Sequence, residues 1–157
     1  MLTVCSGGQT GADIGGLVAA KRFGLPTKGY IPKGFITYSG PKPEYAAEYG
    51  LVETTSNKYQ PRTYANAKLG DGTVRFASDF SSPGEICTLK AIQQYKKPHI
   101  DVDVEKPIPP KDVAKWIMDN NIYVLNVAGN REAGIQKFVE QYLEQVFTEL
   151  GYTNGGS

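Results

Sequence analysis

The sequence predicts an α/β fold, a mostly parallel sheet of about five strands with helices on both faces. Three observations carry that reading. Short β-branched runs alternate along the chain with longer helix-like segments. Ile135, Phe138, Val139, Tyr142, Leu143, Val146, Phe147 and Leu150 step alternately by 3 and 1 residues, as one face of an amphipathic helix does. Ser82-Pro83-Gly84-Glu85 carries the start signals of a second helix: serine as N-cap, proline at the first helical position and glutamate three residues after the cap.

The elements follow in order. Leu2–Ser6 reads as a short buried strand, and Gly7-Gly8-Gln9-Thr10-Gly11 as a glycine-rich turn into a helix that runs to Phe23. Thr10 and Asp13 have capping-box-like spacing, which sets the helix start near Gly11. Gly24-Leu-Pro26 ends it. Thr27–Ile31 is a candidate strand closed by Pro32-Lys33-Gly34. Residues 36–60, rich in Pro, Tyr, Thr and Ser, read as a loop with one short helix near Glu44–Tyr49. Gln60–Leu69 is helix-like, and Thr73–Ser78 alternates as a strand. The helix opened at Ser82 runs to about Tyr95. His99–Val104 is strand-like, 111–119 helical with Val113, Trp116 and Ile117 on one face, and Ile122–Val127 the last strand.

The 157 residues hold one domain, expected over residues 1–152, with 153–157 a frayed tail or a cloning scar. A charged fraction of 21% against 40% apolar residues fits a packed core and argues against disorder. The net charge of +1 excludes a global basic field, so no nucleic-acid polymer is expected as partner. No apolar run is long enough for a membrane helix, and Met1 leads straight into a strand-like run, so neither membrane nor leader is expected. Two distant cysteines and a single histidine exclude a zinc finger or disulfide scaffold and fit a reducing, cytoplasmic compartment. Charge is uneven: residues 1–70 carry +4, and between Asp13 and Glu44 stand five cations and no acid. That stretch is a solvated basic face or a rim for a small anion.

Parallel sheets put ligands outside the carboxyl ends of their strands. Three turns fall there: Gly7–Asp13, Asp79–Glu85 and Ala128–Glu132. The first can point backbone N–H groups at an anion, with a helix N-terminus behind them. It is neither a dinucleotide fingerprint, because the glycine spacing differs, nor a P-loop, because no Gly-Lys-Ser/Thr follows. Arg131, directly after a strand, and Arg62 can grip a phosphate, and Lys33 can add a point charge. Asp71 in Asp-Gly reads as a turn residue. Cys87, near a helix start, is a candidate for a lowered pKa, although a small buried side chain is the plainer reading. The tyrosines at 30, 38, 45, 49, 59 and 64 wall a planar ring or stiffen the loop.

Ser6-Gly-Gly-Gln-Thr-Gly-Ala-Asp13 resembles the opening motif of the putative molybdenum carrier family. Gly29-Tyr-Ile-Pro-Lys-Gly34, Tyr49-Gly-Leu-Val-Glu-Thr54, Tyr59-Gln-Pro-Arg-Thr63 with Asn66, Asp71-Gly-Thr73, Trp116 and Leu125-Asn-Val-Ala-Gly-Asn-Arg-Glu132 continue the resemblance in order. The family lies within the SLOG superfamily of Rossmann-like proteins, so the resemblance implies a Rossmann-like three-layer sandwich and a site at the strand ends. Superfamily members bind nucleotides or nucleotide-derived signals, and some are phosphoribohydrolases. Two departures stand out. The hydrolase branch carries Pro-Gly-Gly-x-Gly-Thr-x-x-Glu, with the last Glu catalytic; here that position is Ala91 and the second glycine is Glu85. Asn130 stands where the family often has Pro, an exchange expected to loosen the last turn and add an amide.

These readings converge on a binding protein for a phosphorylated small molecule, most simply a nucleotide or ADP-ribose-type signal that is sensed or sequestered. The family resemblance adds a molybdopterin-type cofactor as an alternative cargo, and the superfamily a nucleotide N-glycosidase or phosphoribohydrolase. The expected ligand-binding residues are Ser6, Gly7, Gly8, Gln9, Thr10, Lys33, Arg62, Ser82, Gly84, Thr88, Asn130 and Arg131. Glu85 and Asp13 are the acid/base candidates of the enzyme reading. Glu85 itself reads first as the capping-box carboxylate. No metal and no obligatory cofactor are expected, and a homo-oligomer is.

Overall fold

The computed structural model describes residues 1–155. Its core is a six-stranded sheet in the order β5-β2-β1-β8-β6-β7. The strands are β1 (Thr3–Cys5), β2 (Thr27–Ile31), β5 (Leu51–Glu53), β6 (Gly72–Ala77), β7 (His99–Asp103) and β8 (Val124–Gly129). Every pairing is parallel, with Val4 opposite Leu125 across β1/β8 and Thr73 opposite Asn126 across β6/β8. The last strand of the chain thus sits at the centre, between the first strand and β6.

Helices cover both faces. α1 (Ala12–Arg22), α5 (Pro110–Asp119) and α6 (Gln136–Glu149) pack together on one side, and α3 (Tyr59–Leu69) and α4 (Pro83–Tyr95) on the other. Burial follows the strand period. Leu125 and Val127 of β8, with Val74 and Phe76 of β6, meet Val139, Leu143, Val146 and Phe147 of α6, all fully buried. This is the helix face whose 3-and-1 spacing stood out in the sequence. Phe76 meets Tyr142 edge-on at 5.4 Å, and Phe147 meets Phe23 at 5.6 Å. Asn126 and Thr73 point to the opposite face, where Asn126 Nδ2 donates to Thr73 Oγ1 at 3.1 Å. No described helix is long and apolar enough to cross a membrane.

The 36–60 segment departs from expectation. Besides the short helix α2 (Tyr45–Tyr49) it holds a two-stranded ribbon, β3 (Ile36–Thr37) with β4 (Gly40–Pro41), and the edge strand β5. Strands of two or three residues are too short to show an alternation, so a sixth strand and the ribbon replace the expected loop. Residues 153–155 are described, with no regular structure, whereas 156–157 of the expected tail lie outside the described residues.

Both helices start where the sequence puts them, α1 after Gly11 and α4 with Ser82 as N-cap and Pro83 first, but the expected capping bonds are not made. Gly11, not Thr10, is the N-cap of α1. Gly11 has φ 82°, and a Cβ there would lie 2.3 Å from the Asn130 carbonyl oxygen. Gly11→Ala is therefore expected to cost roughly 1–3 kcal/mol in backbone strain alone. Urea denaturation reads the loss, and an unchanged midpoint would contradict the close approach of the β1 and β8 turns.

Candidate functional site

A cleft of about 260 Å³ opens at the carboxyl ends of β1 and β8 and descends along the α3/α4 face of the sheet. β1 is followed by a helix on one face and β6 by a helix on the other, which leaves this crevice above β8. Asn126 and Ala128 of β8 line it from the sheet, and Gly7, Arg62, Ser82, Gly84, Glu85, Thr88, Asn130 and Arg131 surround it.

The first turn does not work as expected. Most of its donors, and the first amide of α1, are already satisfied by the protein. Ala12 N–H donates to the Asn130 carbonyl at 3.0 Å, and Gly8 N–H to Ser6 Oγ at 3.2 Å. Gln9 N–H reaches Asp13 Oδ2 at 3.4 Å, and Arg62 Nη1 donates to the same oxygen at 2.8 Å. Asp13 is thus an internal anion seated where a ligand anion was expected. Burial raises its carboxyl above the ordinary value, against the pull of the Arg62 charge and the Gln9 and Gly7 amides. Gly7 is required by this pair, because a Cβ there would lie 2.2 Å from Arg62 Nη1. Of the residues expected from this turn, Gly7 and Gln9 line the cleft. Ser6 is buried beneath it, donating to the Asp13 carbonyl at 2.9 Å, and Gly8 faces Leu51 and Ile31 instead. Gln9 and Thr10 are structural staples: Gln9 Oε1 accepts from Tyr38 N–H at 2.7 Å, and Thr10 Oγ1 donates to the Arg131 carbonyl at 2.6 Å.

The start of α4 is open. Pro83 has no N–H, and the first-turn position of Gly84 and Glu85 leaves their amides without a helical acceptor. A side chain added at Gly84 would meet nothing within 4 Å. Glu85 does not cap the helix. Its side chain is 4% exposed and turns into the cleft, where Oε2 accepts from Asn130 Nδ2 at 3.4 Å. Burial pushes its carboxyl up to about 7, against Arg75 and with Asp13 adding to the rise. Glu85 Oε1 and Arg62 Nε are buried on this cleft with no partner among the described residues.

Behind Glu85 stands Arg75, which the sequence reading passed over. Arg75 is buried in β6, with Nε and Nη2 on the two oxygens of Asp101 at 2.8 and 2.7 Å and Nη1 on the Glu85 carbonyl at 3.0 Å. A signal existed: in Thr73-Val74-Arg75-Phe76 the alternation puts a lone cation on an inward face of a parallel sheet. Asn130 does not loosen its turn. Its Oδ1 accepts from Ser78 and Asp79 N–H at 3.0 and 3.4 Å and its own N–H donates to the Phe76 carbonyl at 2.9 Å, so it fastens the β6–α4 loop to the end of β8. Glu85, which departs from the hydrolase branch, and Asn130, which departs from the family pattern, touch each other.

At the mouth the Arg131 guanidinium lies 4.4 Å from the Tyr38 ring centre, and Arg62 lies 5.3 Å from that of Tyr59. Tyr45 and Tyr49 pack on each other, as do Tyr64 and Tyr95. Three of the six loop tyrosines, Tyr45, Tyr49 and Tyr64, therefore stiffen the fold. Lys33 is not brought to the cleft; it borders a separate shallow groove with Gly34, Thr55 and Ser56. Cys87 lines the cleft, and burial raises its thiol, in line with the plainer reading of a small buried side chain and against a lowered pKa. Ala91 is fully buried in the α3/α4 seam with Ala67 and Ile92.

Residues 4–148 match the profile of the circularly permutated YpsA SLOG family. The chain belongs to that family. Its central β8 suits a permuted chain, in which the last strand pairs beside the first. This SLOG protein is similar to the crystal structure of a putative molybdenum carrier protein from Syntrophus aciditrophicus, at 32% identity and a TM-score of 0.79, over 96% of this chain and 94% of that one. No match is found among curated proteins.

Proposed function

We propose that this SLOG protein binds a phosphorylated small molecule in the cleft without turning it over. The observation that carries the reading is the uncapped first turn of α4. Glu85 leaves the cap position, so the Gly84 and Glu85 amides and the Ser82 hydroxyl are free for an anion. Arg62 Nε, unpartnered, and Arg131 at the mouth add charge from two other elements. Small-molecule sites span about 300–1,000 Å³, so a cleft of about 260 Å³ holds a mononucleotide-sized group and leaves a larger ligand protruding. Tyr59, which lines the cleft beside Arg62, is the tyrosine that would meet a ring there, with Tyr38 backing Arg131. A nucleotide or ADP-ribose-type signal fits this description.

The likeness to a molybdenum carrier supports a second reading, in which the cargo is a pterin phosphate. Among the described residues no group of three or more His, Cys, Asp or Glu could hold a metal ion, so such a cargo would be gripped through its organic part.

Gentle purification, denaturation and mass spectrometry of the released molecules test both. An unaltered nucleotide at near-stoichiometric amount supports the first reading and a pterin the second; a processed nucleotide would move the cleft to the enzymes. Arg131→Ala is expected to lower retention about 10- to 100-fold, the worth of one charge-assisted contact. The guanidinium lies at the mouth and outside the core, so the fold should be unaffected. Undiminished retention would remove Arg131 from the site.

A further inference from the structure

We propose that Glu85 meets the ligand as a neutral carboxylic acid, donating its proton to an anionic oxygen, so that the cleft takes up a proton together with the anion. This rests on the reading of the cleft as an anion site and adds a residue and a pH dependence to it.

The geometry around Glu85 carries the argument. A buried carboxylate needs several donors or a close cation. Glu85 has one long bond, from Asn130 at 3.4 Å, and nothing on Oε1. The nearest cation is Arg75, with Nη1 4.0 Å from Oε1. Its guanidinium is already committed to both Asp101 oxygens and to the Glu85 carbonyl, and Asp101 offsets its charge. From α1, Asp13 adds negative potential but is paired with Arg62 of α3. Glu132 and Arg131 face the same cleft from the turn after β8. Among the described residues only Arg75 comes within ion-pair distance of the Glu85 carboxyl, and its charge is already offset by Asp101.

A protonated carboxyl has the opposite need, one acceptor for its O–H. Oε1 has none in the protein: it is buried 4.0 Å from Arg75 Nη1, while Glu85 lines the cleft below the α4 turn whose amides are free to collect an anion. That anion supplies the acceptor. A carboxylate at the same place would repel it. Burial sets the carboxyl near neutrality, so the two states exchange around physiological pH. Capture should then be tighter at pH 6 than at pH 8, with the added proton coming from solvent.

The test follows the side-chain carboxyl resonances of 13C-glutamate-labelled protein through a pH titration, with E85Q identifying the Glu85 signal. Inorganic phosphate serves as probe, and its arrival is read separately on the Gly84 amide. The expected midpoint is near 7 without phosphate and about one pH unit higher with it, equivalent to about tenfold tighter binding by the acid form. A midpoint in the ordinary carboxylate range overturns the inference whatever the ligand. If phosphate moves the Gly84 amide and leaves the Glu85 midpoint unchanged, the inference fails and the anion site stands. If phosphate moves neither, both fall. Should E85Q fail to fold, the single resonance with a displaced midpoint in the wild-type protein decides the question alone.

Discussion

Arg62→Ala is expected to destabilise the protein by about 3–5 kcal/mol and to abolish ligand capture. Removing one partner of a buried ion pair strands the other, and this accounts for the size of the effect. Asp13 is 6% exposed and takes its strongest bond from Arg62 Nη1 at 2.8 Å. Without Arg62 it keeps only backbone amides, Gln9 at 3.4 Å and Gly7, with no charge to offset its own. It would then protonate more readily, so the loss should be largest at alkaline pH. Asp13→Asn is expected to do less harm, because Arg62 reaches the cleft and can hydrate there. In the double variant the two losses should not add, since no stranded charge remains. Chemical denaturation of the four proteins measures the coupling. Additive losses, or a loss below about 1 kcal/mol for Arg62→Ala, would show that the pair does not anchor the β1 turn.

The same pair shows where sequence reasoning stops. Long elements are legible because their periodicity is a one-dimensional signal. Thr27–Ile31 and the buried stripe of α6 fall where the pattern puts them. So does the location of the crevice, which follows from parallel strands alone. What is not legible is which partner a polar group chooses. Thr10 and Asp13 have the spacing of a local cap, yet Asp13 turns to Arg62, 49 residues away. Ser82 and Glu85 repeat the case, and Glu85 turns to Asn130, 45 residues away. Local spacing records the bonds a side chain can make with its own helix. It does not record competitors brought in by the fold, and in both turns the competitor wins. The consequence for the site is an exchange of roles. The glycine turn is occupied by Asp13, and the α4 turn is left open. Arg75 was detectable as a cation on an inward strand face, but only Asp101, its partner on β7, explains why it is tolerated there.

Glu85→Gln is expected to remove a loss of stability that the wild-type protein suffers as pH rises from 4.5 through about 7. Most carboxylates in proteins have depressed pKa values and stabilise the folded state as pH rises. Glu85 does the opposite. Its folded pKa is raised from 4.5 to about 7, chiefly by burial. The folded state therefore holds a proton that the unfolded chain has lost. The stability this contributes is complete below the unfolded value of 4.5 and disappears as pH rises through about 7. The gap corresponds to about 3 kcal/mol at most, from about 1.4 kcal/mol per pH unit. Glutamine is neutral at every pH and close to the acid in shape, so the variant lacks this loss. Relative to wild type, Glu85→Gln should thus gain up to about 3 kcal/mol on going from pH 4.5 to pH 8. For a chain of this size that is a change of several degrees in the difference between the two melting temperatures. Asp13, also raised by burial, contributes a loss of the same sign in both proteins. Parallel melting profiles across this range would mean that Glu85 titrates as an ordinary carboxylate, with a donor supplied by solvent or by movement of Arg75. A gap that widens in favour of the variant as pH rises would mean that the cleft holds an acid at neutral pH, available to an anion that carries no proton of its own.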